Sequence, residues 1–266
     1  MARRLVGTLL AAIAALGVTT APAQAAVDFT GIVALNNCSG SLVRLPDSAP
    51  ADKALVLTNG HCVELMKPGQ VIVDRAVSRN FSLLNGSGAK IATLTGTKLV
   101  YATMTGTDAA LYQLGTTYGE IQSRYGSRAL ELSASHPVAG TEIRIASGYW
   151  KRIYSCQIDG FVHQVKEADW TWRDSLRYTP SCNTIGGTSG SPIIDNASDK
   201  VVGINNTGNE SGGRCTMNNP CEVDAASTVT VRKGTNYGQQ TFGFVSCFGP
   251  GTTLNLALPG CTVAKP

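Results

Sequence analysis

The feature that most limits what this chain can become is its punctuation. Apolar runs of strand length recur along it, and each is broken by Gly, Asn, Asp or Pro. Residues 31–35, 41–45, 54–58, 71–73, 89–94, 109–114, 142–145, 201–204 and 243–247 are such runs. They are rich in Val, Ile, Leu and Thr, residue types that suit a pleated, half-buried surface. Short strands at close spacing predict an all-β sandwich or barrel. No long segment carries its apolar residues at a helical period. Residues 126–140, which contain Leu130, Leu132 and His136-Pro137, read as a crossing between two halves.

The first 25 residues have a different character. Arg3 and Arg4 precede an uncharged apolar run over 5–18, and Ala23-Gln24-Ala25 has the form of a cleavage site. That pattern is an export signal. The run is shorter than the roughly 20 residues a membrane helix needs, and no later stretch is apolar for long enough. A secreted, soluble chain starting near Ala26 is expected, without a membrane partner. Lys and Arg outnumber Asp and Glu by only 22 to 18 and are scattered, so nothing points to a nucleic-acid partner.

All eight cysteines lie beyond the signal: Cys38, Cys62, Cys156, Cys182, Cys215, Cys221, Cys247 and Cys261. An even count in an exported chain predicts disulfides. No C-x-x-C or H-x-x-x-H spacing suggests a metal, so neither metal nor other cofactor is expected. Residues 154–165 and 171–178 read as the arms of a long hairpin with its tip near 167–170, which sets Cys156 opposite Cys182. Cys215 and Cys221 bracket the turn Asn218-Asn219-Pro220 and should pair locally, leaving Cys247 and Cys261 to close the C-terminus. Cys182 with Cys215 is a competing pairing. Cys38 is the natural partner of Cys62, and closing that loop contributes about 3 kcal/mol on a chain-entropy account.

Chemistry concentrates at Gly186-Gly187-Thr188-Ser189-Gly190-Ser191-Pro192. Glycines permit backbone conformations that a Cβ forbids. A nucleophilic serine needs a tight turn of this kind, with N–H groups nearby to hold a developing oxyanion. An ordinary Gly/Ser/Thr loop has the same composition. Of the three histidines, His61 ends an apolar strand in Leu57-Thr58-Asn59-Gly60-His61-Cys62, where a disulfide would fix it as a general base must be fixed. Asp108 heads the apolar strand Ala109-Ala110-Leu111-Tyr112. His136 and His163 read as structural, and Trp150, Trp170 and Trp172 as packing or hairpin-tip residues. Residues 210–214 are polar and Gly-rich, as in a mobile loop near a cleft.

Taken in order, these motifs resemble the chymotrypsin/trypsin-like serine peptidases. The resemblance rests on Cys38-Ser39-Gly40-Ser41-Leu42, on Thr58-Asn59-Gly60-His61-Cys62, on Asp108 before its strand and on Gly187-Thr188-Ser189-Gly190-Ser191-Pro192. The strand Gly203-Ile204-Asn205-Asn206-Thr207-Gly208 and the stretch from Val138 to Trp150 extend it over most of the chain after the signal. It implies a peptidase domain over 26–266, made of two packed antiparallel β-barrels at about 26–125 and 138–266 with the active site in the cleft between them. It further implies His61 as base, Asp108 as its orienter, Ser189 as nucleophile, and the N–H groups of Gly187 and Ser189 as the oxyanion hole. Asn205, Asn206, Thr207 and Gly208 would bind substrate, and the partners would be proteins or peptides met by a monomer.

The chain also departs from the family pattern. Thr188 stands where the trypsin branch has the aspartate that receives a newly cut N-terminus, so that activation switch is not expected. The nucleophile segment resembles the glutamyl-endopeptidase-like branch more closely. Asn205, however, occupies the place of the histidine that binds a glutamate side chain there. Asn183, Asn205, Asn206 and Thr207 suggest a polar pocket. A non-catalytic binding protein on the same fold and an esterase using the same triad are the alternative functions.

Overall fold

Strand Lys53–Thr58 is buried from Ala54 onward, the pattern of a strand covered on both faces. It sits inside a sheet that curls back on itself. The structure is a computed structural model that describes residues 28–266; the expected export signal lies outside the described residues. The first sheet is built from β1 (Ile32–Ala34), β2 (Ser39–Arg44), β3 (Lys53–Thr58), β4 (Val71–Leu84), β5 (Lys90–Thr103) and β6 (Ala109–Thr117). Their order is β1-β4-β5-β6-β3-β2, and β2 pairs again with β1. Closure of this kind removes exposed strand edges. Helix α1 (Tyr118–Tyr125) comes next, then β7 (Leu130–Glu131), which runs parallel to β2.

The second sheet repeats the plan. It contains β8 (Glu142–Ser147), β9 (Arg152–Glu167), β10 (Trp170–Tyr178), β11 (Pro192–Asp195), β12 (Val201–Gly208), β13 (Cys221–Val223), β14 (Val229–Thr230) and β15 (Asn236–Gln240). The order β10-β15-β12-β11-β8-β9 closes through the β9–β10 hairpin, while β13 and β14 extend along β9. The fold is therefore all-β with two antiparallel barrels. Ile143, Ile145, Ile158, Leu176, Ile193 and Val202 fill the second barrel. A separate apolar layer includes Ile32, Leu55 and Tyr101 of the first barrel with Ile194 and Ile204 of the second. Among the described residues no helix is long and apolar enough to cross a membrane.

All four bonds form as Cys38–Cys62, Cys156–Cys182, Cys215–Cys221 and Cys247–Cys261, so the competing Cys182–Cys215 pairing does not occur. The hairpin tip falls between Glu167 and Trp170. One expectation fails. Residues 243–247 are not a strand: helix α2 (Phe242–Val245) lies there, and its buried Phe244 meets the edge of Tyr101 at 5.6 Å between ring centres. One inward aromatic is satisfied by a single helical turn, and the Cys247–Cys261 bond fastens the chain beyond that turn. Residues 210–214 form a loop, as expected, with hydrogen bonds at its base. Asn209 Nδ2 donates to Gly213 O and Pro220 O, and Asn219 Oδ1 accepts from the N–H groups of Ser211 and Gly213.

The two barrels meet backbone to backbone at Gly148. A Cβ there would sit 2.3 Å from Val33 O, on β1 of the other barrel. Gly148→Ala should destabilise by about 1–3 kcal/mol, the usual cost of overpacking, lowering Tm by about 2–4 °C for each kcal/mol. Calorimetry giving an unchanged Tm would show that the barrels can shift apart freely here.

Candidate active site

The turn after β3 brings His61 to the barrel mouth. Gly60 passes so close to β5 that a Cβ would lie 2.1 Å from Thr103 O. Asn59 Nδ2 donates to Asp108 O at 2.8 Å. The Asp108 carboxylate is fully buried and uses both oxygens on one residue: Oδ1 accepts from the His61 N–H at 3.0 Å, and Oδ2 lies 2.7 Å from Nδ1. A carboxylate acceptor places the proton on Nδ1 and leaves Nε2 as the proton acceptor. Burial pulls the imidazole pKa down, but the charge and hydrogen bond of Asp108, helped by the nearby Glu167, outweigh it and raise the pKa above 6.5.

Ser189 comes from the other barrel, on the turn before β11. Gly187 and Gly190 have φ of +88° and +81°, conformations that glycine reaches without strain. Gly190 N donates to Asn205 O at 3.0 Å and Asn205 N to Ser191 O at 2.8 Å, which fastens the turn to β12. Ser39 N, on β2 of the first barrel, donates to Ser189 O at 2.8 Å. Pairing of β12 with β15 slips at Asn206, a bulge that re-aims the local backbone. Ser189 Oγ donates to Asn206 O at 3.3 Å. Among the described residues no hydrogen bond joins Ser189 Oγ to His61, and the N–H groups of Gly187 and Ser189 donate to no protein acceptor. Two unspent donors beside a half-buried hydroxyl can hold an oxygen that gains charge.

His61, Asp108 and Ser189 line one cavity of about 230 Å³, together with Asn205, Asn206, Thr207 and Gly208. The structure thus gathers the residues singled out for catalysis or substrate binding except two: Gly187, which lies on the adjoining turn, and Asn183. Asn205 lines the cavity, and its Nδ2 donates to Thr188 Oγ1; its Oδ1 lies 3.3 Å from Thr184 Oγ1, whose single proton has a shorter bond elsewhere. The Asn206 amide is buried with no protein partner on either polar atom. Asn183, expected beside the pocket, is exposed and outside its lining. Thr184 takes that place and donates to Asn236 Oδ1 at 2.9 Å.

Sequence reasoning missed Glu167, Met104, Thr184 and Asn236 as cavity residues, and placed Trp170 only as a hairpin-tip contact. The hairpin explains the first. Its tip crosses to the first barrel, where the Trp170 and Trp172 indoles donate to Met66 O and Met104 O at 2.8 and 3.1 Å. Glu167 arrives with it, and its Oε1 accepts from Asn218 N at 2.7 Å. Burial pushes this carboxyl above its usual range, opposed by the nearby Thr207 hydroxyl, the Asn218 N–H and the charge of His61. Cys38, His61 and Cys62 bring potential metal ligands close together, but both sulfurs are spent in a disulfide. His136, against Asp174 Oδ2 at 3.0 Å, and His163 are outside the cavity.

The family profile for the trypsin-like peptidase domain matches residues 38–204. No curated protein is significantly similar in sequence. Among solved structures, the MamO protease domain of Magnetospirillum magneticum is 13% identical, with a TM-score of 0.49, over 80% of this chain and 93% of that one. A protease from M. tuberculosis in its active form is 14% identical, TM-score 0.48, covering 88% and 90%. A Glu endopeptidase is 16% identical, TM-score 0.46, covering 83% and 89%.

In an NMR pH titration the His61 ring should titrate with a midpoint above 6.5. Asp108→Asn should bring the midpoint down, because burial then acts with little opposition. Glu167→Gln should lower it by a smaller amount. A midpoint that rises in either variant would contradict the charge assignment.

Proposed function

We propose, on the premise that the chain belongs to the trypsin-like peptidase family, that it is an exported serine endopeptidase. The observation that carries the reading is the doubly bonded His61–Asp108 pair in one cavity with Ser189. Ser189 Oγ attacks the scissile carbonyl as His61 Nε2 takes its proton. Asp108 holds the ring in the needed tautomer and stabilises the imidazolium. The N–H groups of Gly187 and Ser189 receive the oxyanion. His61 then protonates the leaving amine, and an acyl-enzyme remains on Ser189. Water, deprotonated by His61, attacks the acyl carbon and releases the acid. In the resting state the hydroxyl donates to Asn206 O; it leaves that carbonyl for His61 Nε2 when substrate arrives, as catalytic hydrogen bonds form fully only in the complex.

The substrate backbone adds as a strand beside Asn206, Thr207 and Gly208, a mode in which main-chain bonds give affinity and pockets give selectivity. The bulge leaves Asn206 without a partner on β15, while pairing resumes at Thr207 and Gly208, and β12 pairs with β11 only as far as Ile204. Four disulfides suit an oxidising, extracellular setting.

A fluorophosphonate probe should form an adduct on Ser189, located by mass spectrometry, and none in His61→Ala. Ser189→Ala should lower peptide turnover by roughly 10⁶ while the protein stays folded. Turnover that survives in Ser189→Ala, or an adduct on another residue, would sink the reading.

A further inference from the structure

The donor turn contains two consecutive glycines, Gly186 and Gly187, so the peptide unit between them is intrinsically easy to rotate. A Cβ on Gly186 would touch nothing within 4 Å, so steric confinement does not hold it. One hydrogen bond does. The indole Nε1–H of Trp150 donates to Gly186 O at 2.7 Å. A peptide unit is planar and trans, so its carbonyl and its N–H point in opposite directions. Fixing Gly186 O toward the indole therefore fixes the Gly187 N–H away from it.

Trp150 is itself fastened. Its backbone N donates to Ser147 Oγ at 3.2 Å, and Tyr149 N donates to Ser39 Oγ at 3.1 Å. The two hydroxyls lie 3.0 Å apart, and Ser39 Oγ donates to Gly187 O at 3.2 Å. Each hydroxyl has one proton, so Ser147 donates to Ser39 and Ser39 to Gly187. The carbonyls on both sides of the Gly187 backbone are thus held from one place. Packing alone does not account for Trp150. It is 50% exposed and meets Tyr149 edge-on, with ring centres 5.0 Å apart. A Cβ on Gly187 would lie 2.9 Å from the Tyr149 ring and 3.0 Å from Trp150 Nε1.

We infer that Trp150 is a positioning residue for the reaction, and that its indole N–H orients the Gly186–Gly187 peptide so that the Gly187 N–H faces the oxyanion. This rests on the serine-peptidase reading above. It also assigns what keeps the turn formed where Thr188 replaces an ammonium-binding aspartate: Thr188 Oγ1 donates to Ile185 O at 2.5 Å and accepts from Asn205 Nδ2 at 3.0 Å. Trp150, Thr188 and Asn205 together hydrogen-bond this turn.

The test compares wild type with Trp150→Phe, and with 3-benzothienylalanine at 150, which keeps the ring shape and replaces N–H by sulfur. Losing an oxyanion donor outright costs about 10²–10³ in rate, so losing only its latch should lower kcat by roughly 10-fold. KM should stay within about 2-fold, because ground-state contacts are untouched. Affinity for a peptide boronic acid, which forms a tetrahedral adduct, should fall in parallel with kcat. Crystals of the variant should show the Gly186–Gly187 peptide rotated in part or all of the molecules. A wild-type kcat in the benzothienyl protein, a change confined to KM, or an unrotated peptide would overturn the inference. An inactive wild type would sink the peptidase reading and this inference with it, and is recognised before any variant is measured.

Discussion

The structure depends on a contact made without a side chain. Gly190 lies against the mouth of the first barrel so closely that a Cβ would be 2.1 Å from Ser39 O and 2.2 Å from Thr58 Oγ1. Beside it Ser39 N donates to Ser189 O. His61 and Asp108 are set by β3 and β6, and Ser189 by the turn before β11, so their relative placement is only as good as the docking of two barrels. Backbone-to-backbone contact suits that task, because no rotamer freedom intervenes between the frames. Thr58 Oγ1 donates to Ser39 O at 2.8 Å, so the strand that ends near the histidine is tied to the strand that receives the serine. The β9–β10 hairpin supplies a second clamp at the far side of the cavity, through the two indoles on Met66 O and Met104 O.

The polar interior of the site is a consequence of that docking. A fully buried carboxylate is costly unless hydrogen bonds replace its water, and Asp108 meets the cost with the N–H and ring of a single residue. Glu167 is less completely matched. Its Oε1 has the Asn218 N–H, while Oε2 is buried with no protein partner, and its raised pKa reflects that imbalance. The deeper wall is made of Thr184, Asn205 and Asn236, which spend much of their hydrogen bonding on one another. The wall is a network, so no single member of it can be read in isolation.

This explains what the sequence revealed and what it withheld. Barrel strands announce themselves as apolar runs between turns, and the motifs around His61, Asp108 and Ser189 are contiguous. The hairpin was legible because its arms flank two cysteines. Strand lengths were less so: β4 spans 14 residues, yet only 71–73 stood out, because its middle is exposed and polar. Helix α1 has eight residues, too few to show a period, although its capping box of Thr117 and Glu120 was written in the chain. Glu167 and Trp150 carried no local signal. Each matters through a neighbour far along the chain, Glu167 through His61 and Trp150 through Gly186, and such a relation exists only after the barrels dock.

The split of the site between two barrels also has a meaning in time. A chain emerging N-terminus first completes β6, and with it the histidine and the carboxylate, well before residue 189 exists. A first barrel formed alone would hold the His61–Asp108 pair with no Ser189 beside it. The hydroxyl, the donors and the partner strand arrive together and late, only when the second barrel closes and seats Gly190. The gathered site is thereby a property of the finished molecule.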